Sequence, residues 1–330
     1  MSRYEEIDLS RLVTYPVDER RSLVAEDQAY RPPDDPESFA QFWDSLPDVL
    51  GARALRSVVE AILAARRDGH GFVLFLGAHV IKTGMSPGIV RMLEEGWITA
   101  LALNGAGAIH DLEMAFFGRT SEDVGAALHD GRFGMARETS TWLNEWTAEA
   151  AKRSEGLGEG LGRAYLERAG DGAARSLLAA CYRLEIPATV HLSIGTDINQ
   201  QHASFDGAAA GETSARDFRI LAREVQRLPR GVALVVGSAV LLPEVFLKAV
   251  SVAVNLGSRF DGLTTAVFDF QRHYRPEQNV VARPTSAGGV GHYLIGHHEI
   301  LLPLLCQALR LEADRASGGK LKVDPAEAES

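Results

Sequence analysis

Cysteine is scarce. The 330-residue chain has two, Cys181 and Cys306, far apart and each inside an apolar helical pattern. They exclude a disulfide framework and a cysteine-built zinc site, and read as reduced core residues. Long hydrophobic runs are missing too. None approaches the roughly 20 residues of a membrane span, and the start, MSRYEEIDLSRL, has no apolar signal region. The expected compartment is the cytoplasm. Positive charge is in deficit, with 34 Lys and Arg against 44 Asp and Glu and a formal net charge of −10. That argues against a nucleic-acid surface, so neither nucleic acid nor membrane is an expected partner. Neither a P-loop, a paired-cysteine motif, a strict GxGxxG fingerprint nor an HExxH metal signature occurs. Ser238 follows an apolar run and Gly237 but lacks the second glycine of a nucleophile elbow, so a serine hydrolase is not expected.

What remains is an ordinary globular composition, 46% hydrophobic and 24% charged. Apolar runs alternate with helical patterns. Phe72–Leu76, Ile98–Leu103, Ala188–Ile194, Val232–Val236 and Leu263–Phe268 read as buried strands. Between them lie helical segments after Pro36, over 53–67, up to about Gly96, over 105–117, and over 216–228, 243–255 and 300–311. Alternating strands and helices predict a doubly wound, Rossmann-like parallel α/β sheet with helices on both faces. Residues 1–36, broken by Pro16, Pro32, Pro33 and Pro36, read as an irregular arm. Residues 37–311 read as a single domain and 312–330 as a disordered tail. Residues 118–185 read as a helical block in which Trp142 and Trp146 are core. Gly156–Gly162 (GLGEGLG) reads as a flexible joint, 195–214 as a long polar loop, and 271–293 as irregular.

Four strand ends run into small-residue turns: Gly77-Ala78-His79, Asn104-Gly105-Ala106-Gly107, Gly195-Thr196-Asp197 and Gly237-Ser238. In a parallel sheet, ligands bind at such ends. Four together suggest an extended ligand, as a dinucleotide is. Histidines and carboxylates gather on the same loops: His79, His110, Asp111, Asp197, His202 and Asp206. His292, His297, His298 and Glu299 follow near the end, and His191 on a strand reads as structural. Imidazole titrates near neutrality, which suits acid–base work. His110, Asp111 and His202 are the candidate catalytic groups. Asp197, His202 and Asp206 could also hold a divalent metal.

Several segments resemble the deoxyhypusine synthase family in order: FLGAHVIKTG, ALNGAGAIHDLE, EIPATVHLSIGTD, ALVVGSAVLLPEVFLKAVSVAVNLG and HHEILLPLL. The resemblance spans about Phe72 to Leu311. It implies a Rossmann-like NAD-binding fold, a homotetramer, and a transferase acting on polyamines through an imine on a catalytic Lys. Cofactor contacts would then come from Gly77, Ala78, His79, Asn104, Gly105, Ala106, Gly107, Thr196, Asp197, Gly237 and Ser238. The chain departs from the family at the catalytic Lys. The stretch Arg275–Pro284 places Arg283 or Pro284 there, and no Lys lies between Lys248 and Lys320. Arginine stays protonated and forms no imine readily. Pro243-Glu244-Val245 replaces the family's His pair. The expectation is a deoxyhypusine synthase-like, NAD-binding enzyme acting on a small amine-type metabolite without a Lys imine. The alternatives are a non-redox hydrolase or lyase with a metal at Asp197, His202 and Asp206, or a non-catalytic binding protein.

Overall fold

The computed structural model describes residues 9–25 and 37–318. In chain order come β1 (Ser22–Ala25), α1 (Glu37–Ser45), α2 (Leu50–Asp68), β2 (Phe72–Leu76), α3 (Ala78–Lys82) and α4 (Ser86–Glu94). Next are β3 (Ala100–Asn104), α5 (Gly105–Phe117), β4 (Arg119–Glu122), α6 (Val124–Leu128), α7 (Arg137–Lys152), α8 (Leu157–Arg168) and α9 (Leu177–Arg183). Then follow β5 (Ala188–His191), α10 (Gly207–Val225), β6 (Val232–Val236), α11 (Leu241–Asn255) and β7 (Thr264–Asp269). The chain closes with α12 (Tyr274–Pro276), a π-helical stretch (Glu277–Ala282), β8 (Val290–Ile295) and α13 (His298–Ala316).

Six strands pair in the order β5-β3-β2-β6-β7-β8, all parallel. Counted along the sheet's own strands this is 3-2-1-4-5-6, the doubly wound order. Apolar runs with no polar face produce it, because both faces are covered. β2 shows this residue by residue. Phe72, Leu74 and Leu76 join one core cluster, with α2, α4, α5, α8, α9 and α13. Val73 and Phe75 join the other, with Leu221 and Val225 of α10 and Phe246 and Val250 of α11. The fold class is the α/β class expected from the alternating pattern. Trp142 and Trp146 stack on each other at 5.9 Å and against Phe116, so they are core as expected.

Several expectations need correction. The arm is not wholly irregular: β1 pairs antiparallel with β4, and β4 lies in the block read as helical. Both strands are four residues long, and β4 (RTSE) is polar, so little periodicity marks them. Residues 1–8 and 26–36 lie outside the described residues. The region read as irregular over 271–293 holds the edge strand β8, whose outer positions are exposed and so lack an apolar run. The loop over 195–214 is largely structured. It forms a 3-10 turn at Ile198–Gln201 and then α10, with Asp206 accepting from Ala208 N and Ala209 N as its cap. The last helix runs to Ala316, into the segment read as a tail, and residues 319–330 lie outside the described ones.

The GLGEGLG segment is the clearest reversal. It is the first half of α8, and its glycines are there for closeness. A Cβ on Gly158 would sit 2.1 Å from Ala188 O, one on Gly160 2.3 Å from Ala150 Cβ, and one on Gly162 2.5 Å from Leu178 O. Asp217 on α10 seals the junction by accepting from Gly158 N and Val190 N at 2.8 and 2.7 Å. Gly158→Ala should therefore destabilise the fold by about 1–3 kcal/mol, as overpacking does. Urea unfolding measures it. An unchanged midpoint would show that α8 can move off β5.

Candidate functional site

The carboxyl ends of the six strands share one edge. The strand order reverses between β2 and β6, and there the two following turns meet. Gly77 N donates to Val236 O at 2.8 Å. A Cβ on Gly77 would lie 1.8 Å from Gly237 O, so only glycine fits. Gly237 itself has φ +64, a region glycine enters freely. Ser238 is buried, and its Oγ accepts from Leu242 N at 3.2 Å. It caps α11 and is not a free nucleophile.

His298, the first residue of α13, reaches this crossing from the far end of the chain. A Cβ on Gly237 would meet its Cε1 at 2.9 Å. The ring centroid is 5.4 Å from that of His79 and 6.2 Å from that of Phe270. His298 is 1% exposed, and neither ring nitrogen has a hydrogen-bond partner among the described residues. The Phe268 carbonyl favours its charged form, but it is out of bonding geometry and takes the Gly237 N–H at 3.0 Å. Burial first, then the neighbouring His79, lower the pKa of His298. Burial and then Lys82 lower that of His79. Both imidazoles therefore favour the neutral form. Asp269 ends β7 beside them, buried, with Oδ1 unpaired, and its charge acts on both rings.

The turn after β3 is committed elsewhere. Asn104 Oδ1 accepts from Gly107 N at 3.0 Å. Asp197 swings in from the β5 side and takes the Ala106 N–H. A Cβ on Gly105 would lie 2.1 Å from Asp197 Oδ2. The positive end of the α5 dipole thus already holds an internal carboxylate, which fills the place of an outside anion. Burial pushes that carboxyl up to about 6. Thr196 is exposed, with its hydroxyl turned back to Ser193 O. Of the four turns expected to line one cleft, those after β2 and β6 pack on each other with His79 exposed beside them, while those after β3 and β5 close on each other through Asp197.

The three candidate catalytic residues are drawn apart. Asp111 is fully buried and caps α9, accepting from Ser176 Oγ, Leu177 N and Leu178 N at 2.6, 2.8 and 3.1 Å. His110 turns toward β4, with Nδ1 2.6 Å from Thr120 Oγ1. It belongs to a buried cluster in which Glu113 accepts from Arg20, Thr120 and Thr139. His202 is buried and donates from Nε2 to Gly134 O at 2.8 Å, which pins a loop. The metal reading fails on the same ground. Asp197 and Asp206 each accept from backbone N–H groups and His202 Nε2 is held by Gly134 O, and no group of three His, Cys, Asp or Glu among the described residues could hold a metal. His191 is structural, as expected: it is buried, its Nε2 is 3.0 Å from Thr189 Oγ1, and burial pushes it down to about 4. Gly84-Met85-Ser86-Pro87-Gly88 does spell GxSxG. Ser86 is 5% exposed and follows the helix α3, not a strand, so it builds no elbow. Arg283, which the resemblance sets with Pro284 as a candidate for the Lys position, donates to Asn279 Oδ1 at 2.6 Å. Asn279, Arg275 and Lys248 all converge on Glu244.

Sequence reasoning missed Asp269 and Phe270, although an apolar strand running into Asp-Phe marked their place. It noticed His298 without its role, because nothing local shows that α13 brings it back to the β2–β6 crossing.

No family model and no curated protein matches the sequence. Solved structures share the fold. Unliganded AgrE is 21% identical over 80% of this chain, with a TM-score of 0.52. AgrE crystallised with ornithine and NAD+ is 19% identical over 81%, also at 0.52. This chain spans about a third of AgrE's length, 34% in each comparison. A deoxyhypusine synthase-like protein from Entamoeba histolytica is 9% identical, covering 84% of this chain and 96% of its own, at 0.50. These likenesses establish the Rossmann-like α/β fold.

Two outcomes test the structural roles. Asp111→Ala should cost about 1–3 kcal/mol, because buried N–H donors lose their acceptor, and should leave ligand affinity unchanged. Asp197 gives a pH signature. Its folded pKa lies above the ordinary 3.8, at about 6, so the folded state holds the proton longer than the unfolded one. Its contribution to stability is greatest below pH ~4 and falls as pH rises to ~6. Chemical denaturation at stepped pH should show that slope flattened in Asp197→Asn; an identical slope would refute the assignment.

Proposed function

We propose that the chain is an enzyme that binds a dinucleotide of the NAD type across the β2–β6 crossing and acts on a small polar metabolite. The observation that carries this is the crossing itself. Two glycine turns touch at the reversal of strand order, and the buried, unpaired His298 faces them. The fit is uneven. On the β2–β6 side Ala78 and Gly237 are half-buried and His79 is exposed, and His298 and Asp269 offer unpaired polar atoms for a ligand to satisfy. On the β3 side, where dinucleotide folds carry an acid for the ribose, Asn104 stands instead and caps α5. A nucleotide would thus be held mainly by the β2 and β6 turns. When bound, such a cofactor supplies hydride acceptance. The chain's own groups orient the substrate, and a neutral imidazole of the His79–His298 pair takes up a proton.

The AgrE complex with NAD+ and the deoxyhypusine synthase resemblance support a nucleotide cofactor. The family's imine does not carry over, since Arg283 or Pro284 stands at the Lys position. An amine-type substrate, a homotetramer and a cytoplasmic setting rest on the resemblance and composition, and belong to this proposal.

Isothermal calorimetry with NAD+ on the full chain tests it. Binding in the micromolar to millimolar range is expected, weakened several-fold by His79→Ala. No heat at millimolar NAD+ would sink the reading.

A further inference from the structure

Unpaired polar atoms sealed inside a protein are rare, because each forfeits its hydrogen bonds to water. Of those among the described residues, three belong to two residues that lie together at the β2–β6 crossing. His298 is 1% exposed with both ring nitrogens unpaired, and Asp269 is 2% exposed with Oδ1 unpaired. What seals them is thin. His79 is exposed and Phe270 is 49% exposed, yet both rings lie edge-on to His298. The His79 and Phe270 centroids are 6.0 Å apart, so the three rings close a triangle over the β2–β6 crossing. Each covering ring stands at the end of a strand, with solvent on its outer side.

We propose that Phe270 and His79 form a gate over a polar pocket floored by His298 and Asp269, and that the pocket takes an uncharged group that both donates and accepts hydrogen bonds, such as a carboxamide or a hydroxyl. A neutral imidazole presents one N–H and one lone pair, and the Asp269 oxygen presents a further acceptor. A carboxamide, with two N–H donors and one carbonyl, would satisfy all three atoms, and a hydroxyl two of them. An anion would meet the unpaired charge of Asp269 in a dry setting, with Glu299 also acting on both imidazoles. Lys82 acts on His79 alone among the two rings. The gate goes beyond the dinucleotide reading and stands without it.

Diethyl pyrocarbonate, which modifies accessible neutral imidazoles, tests the gate on the full chain, with each histidine followed by peptide mass spectrometry. Exposed His129 is the internal standard. In the wild type His298 should react far more slowly than His129. In Phe270→Ala it should react several-fold faster. Millimolar nicotinamide should protect it there, while nicotinate, the same ring with a carboxylate, should not. If circular dichroism shows Phe270→Ala unfolded, Phe270→Leu replaces it. The gate is overturned if wild-type His298 reacts as fast as His129, or if it stays unreactive in a folded Phe270 variant. Protection by nicotinate, or none by nicotinamide, overturns the ligand class. Calorimetry with NAD+ on the same samples reports separately: lost NAD+ binding with the gate results intact rejects the dinucleotide reading alone.

Discussion

The backbones of β2 and β6 come closer at their carboxyl ends than any side chain would allow. Gly77 and Gly237 touch there, and a single methyl group on Gly77 would overlap the Gly237 carbonyl. Much of the molecule depends on that contact. The strands on either side belong to two halves of the sheet, and α3 and α11 leave the crossing on their separate paths. What remains above the crossing is filled by His298, delivered from the last helix. The sheet's closeness at this point and the buried imidazole above it are two sides of one constraint. Side chains bulky enough to fill the gap would also push the strands apart.

A second economy runs through the structure. Four aspartates sit at helix starts: Asp111 at α9, Asp197 at α5, Asp206 at α10 and Asp217 at α8. Each satisfies N–H groups that a helix leaves unpaired. Burial raises the pKa of three, Asp111 and Asp197 to about 6 and Asp217 to about 7. Desolvation therefore outweighs the hydrogen bonds they accept. Perturbed carboxylates near strand ends look like catalytic groups, but here they are fastenings. A perturbed pKa on a carboxylate that fastens backbone N–H groups points to structure, even where one oxygen, Asp217 Oδ1, stays unpaired, whereas His298 has no partner on either ring nitrogen.

That distinction explains what could be read in advance. Five of the six sheet strands, the buried edge strand β5 among them, and most helices were legible, because apolar runs and amphipathic stripes are local patterns. The turns Gly77–His79 and Gly237-Ser238 were legible because small residues after an apolar run have few other uses. The caps were not. Asp111 and Asp197 look like loop carboxylates until the partner helix is known, and the partners lie 65 and 91 residues away. β8 was missed because an edge strand needs one apolar face at most. GLGEGLG misled because glycine signals looseness in a chain but tight contact in a packed helix.

The fate of the family's Lys position then narrows what chemistry this edge can perform. An imine needs a neutral amine within reach of the substrate. Arg283 cannot supply one. Lys248, the nearest lysine before it in sequence, is ion-paired with Glu244. Glu244 also binds Arg275 and Asn279, so its position is held from three sides and is not free to release the lysine. What the crossing offers in place of an amine is a pair of imidazoles that burial keeps neutral, beside a carboxylate with an oxygen to spare. Such a set can move or hold a proton. The Rossmann-like frame thus carries, where its strand order reverses, imidazoles in place of any lysine amine.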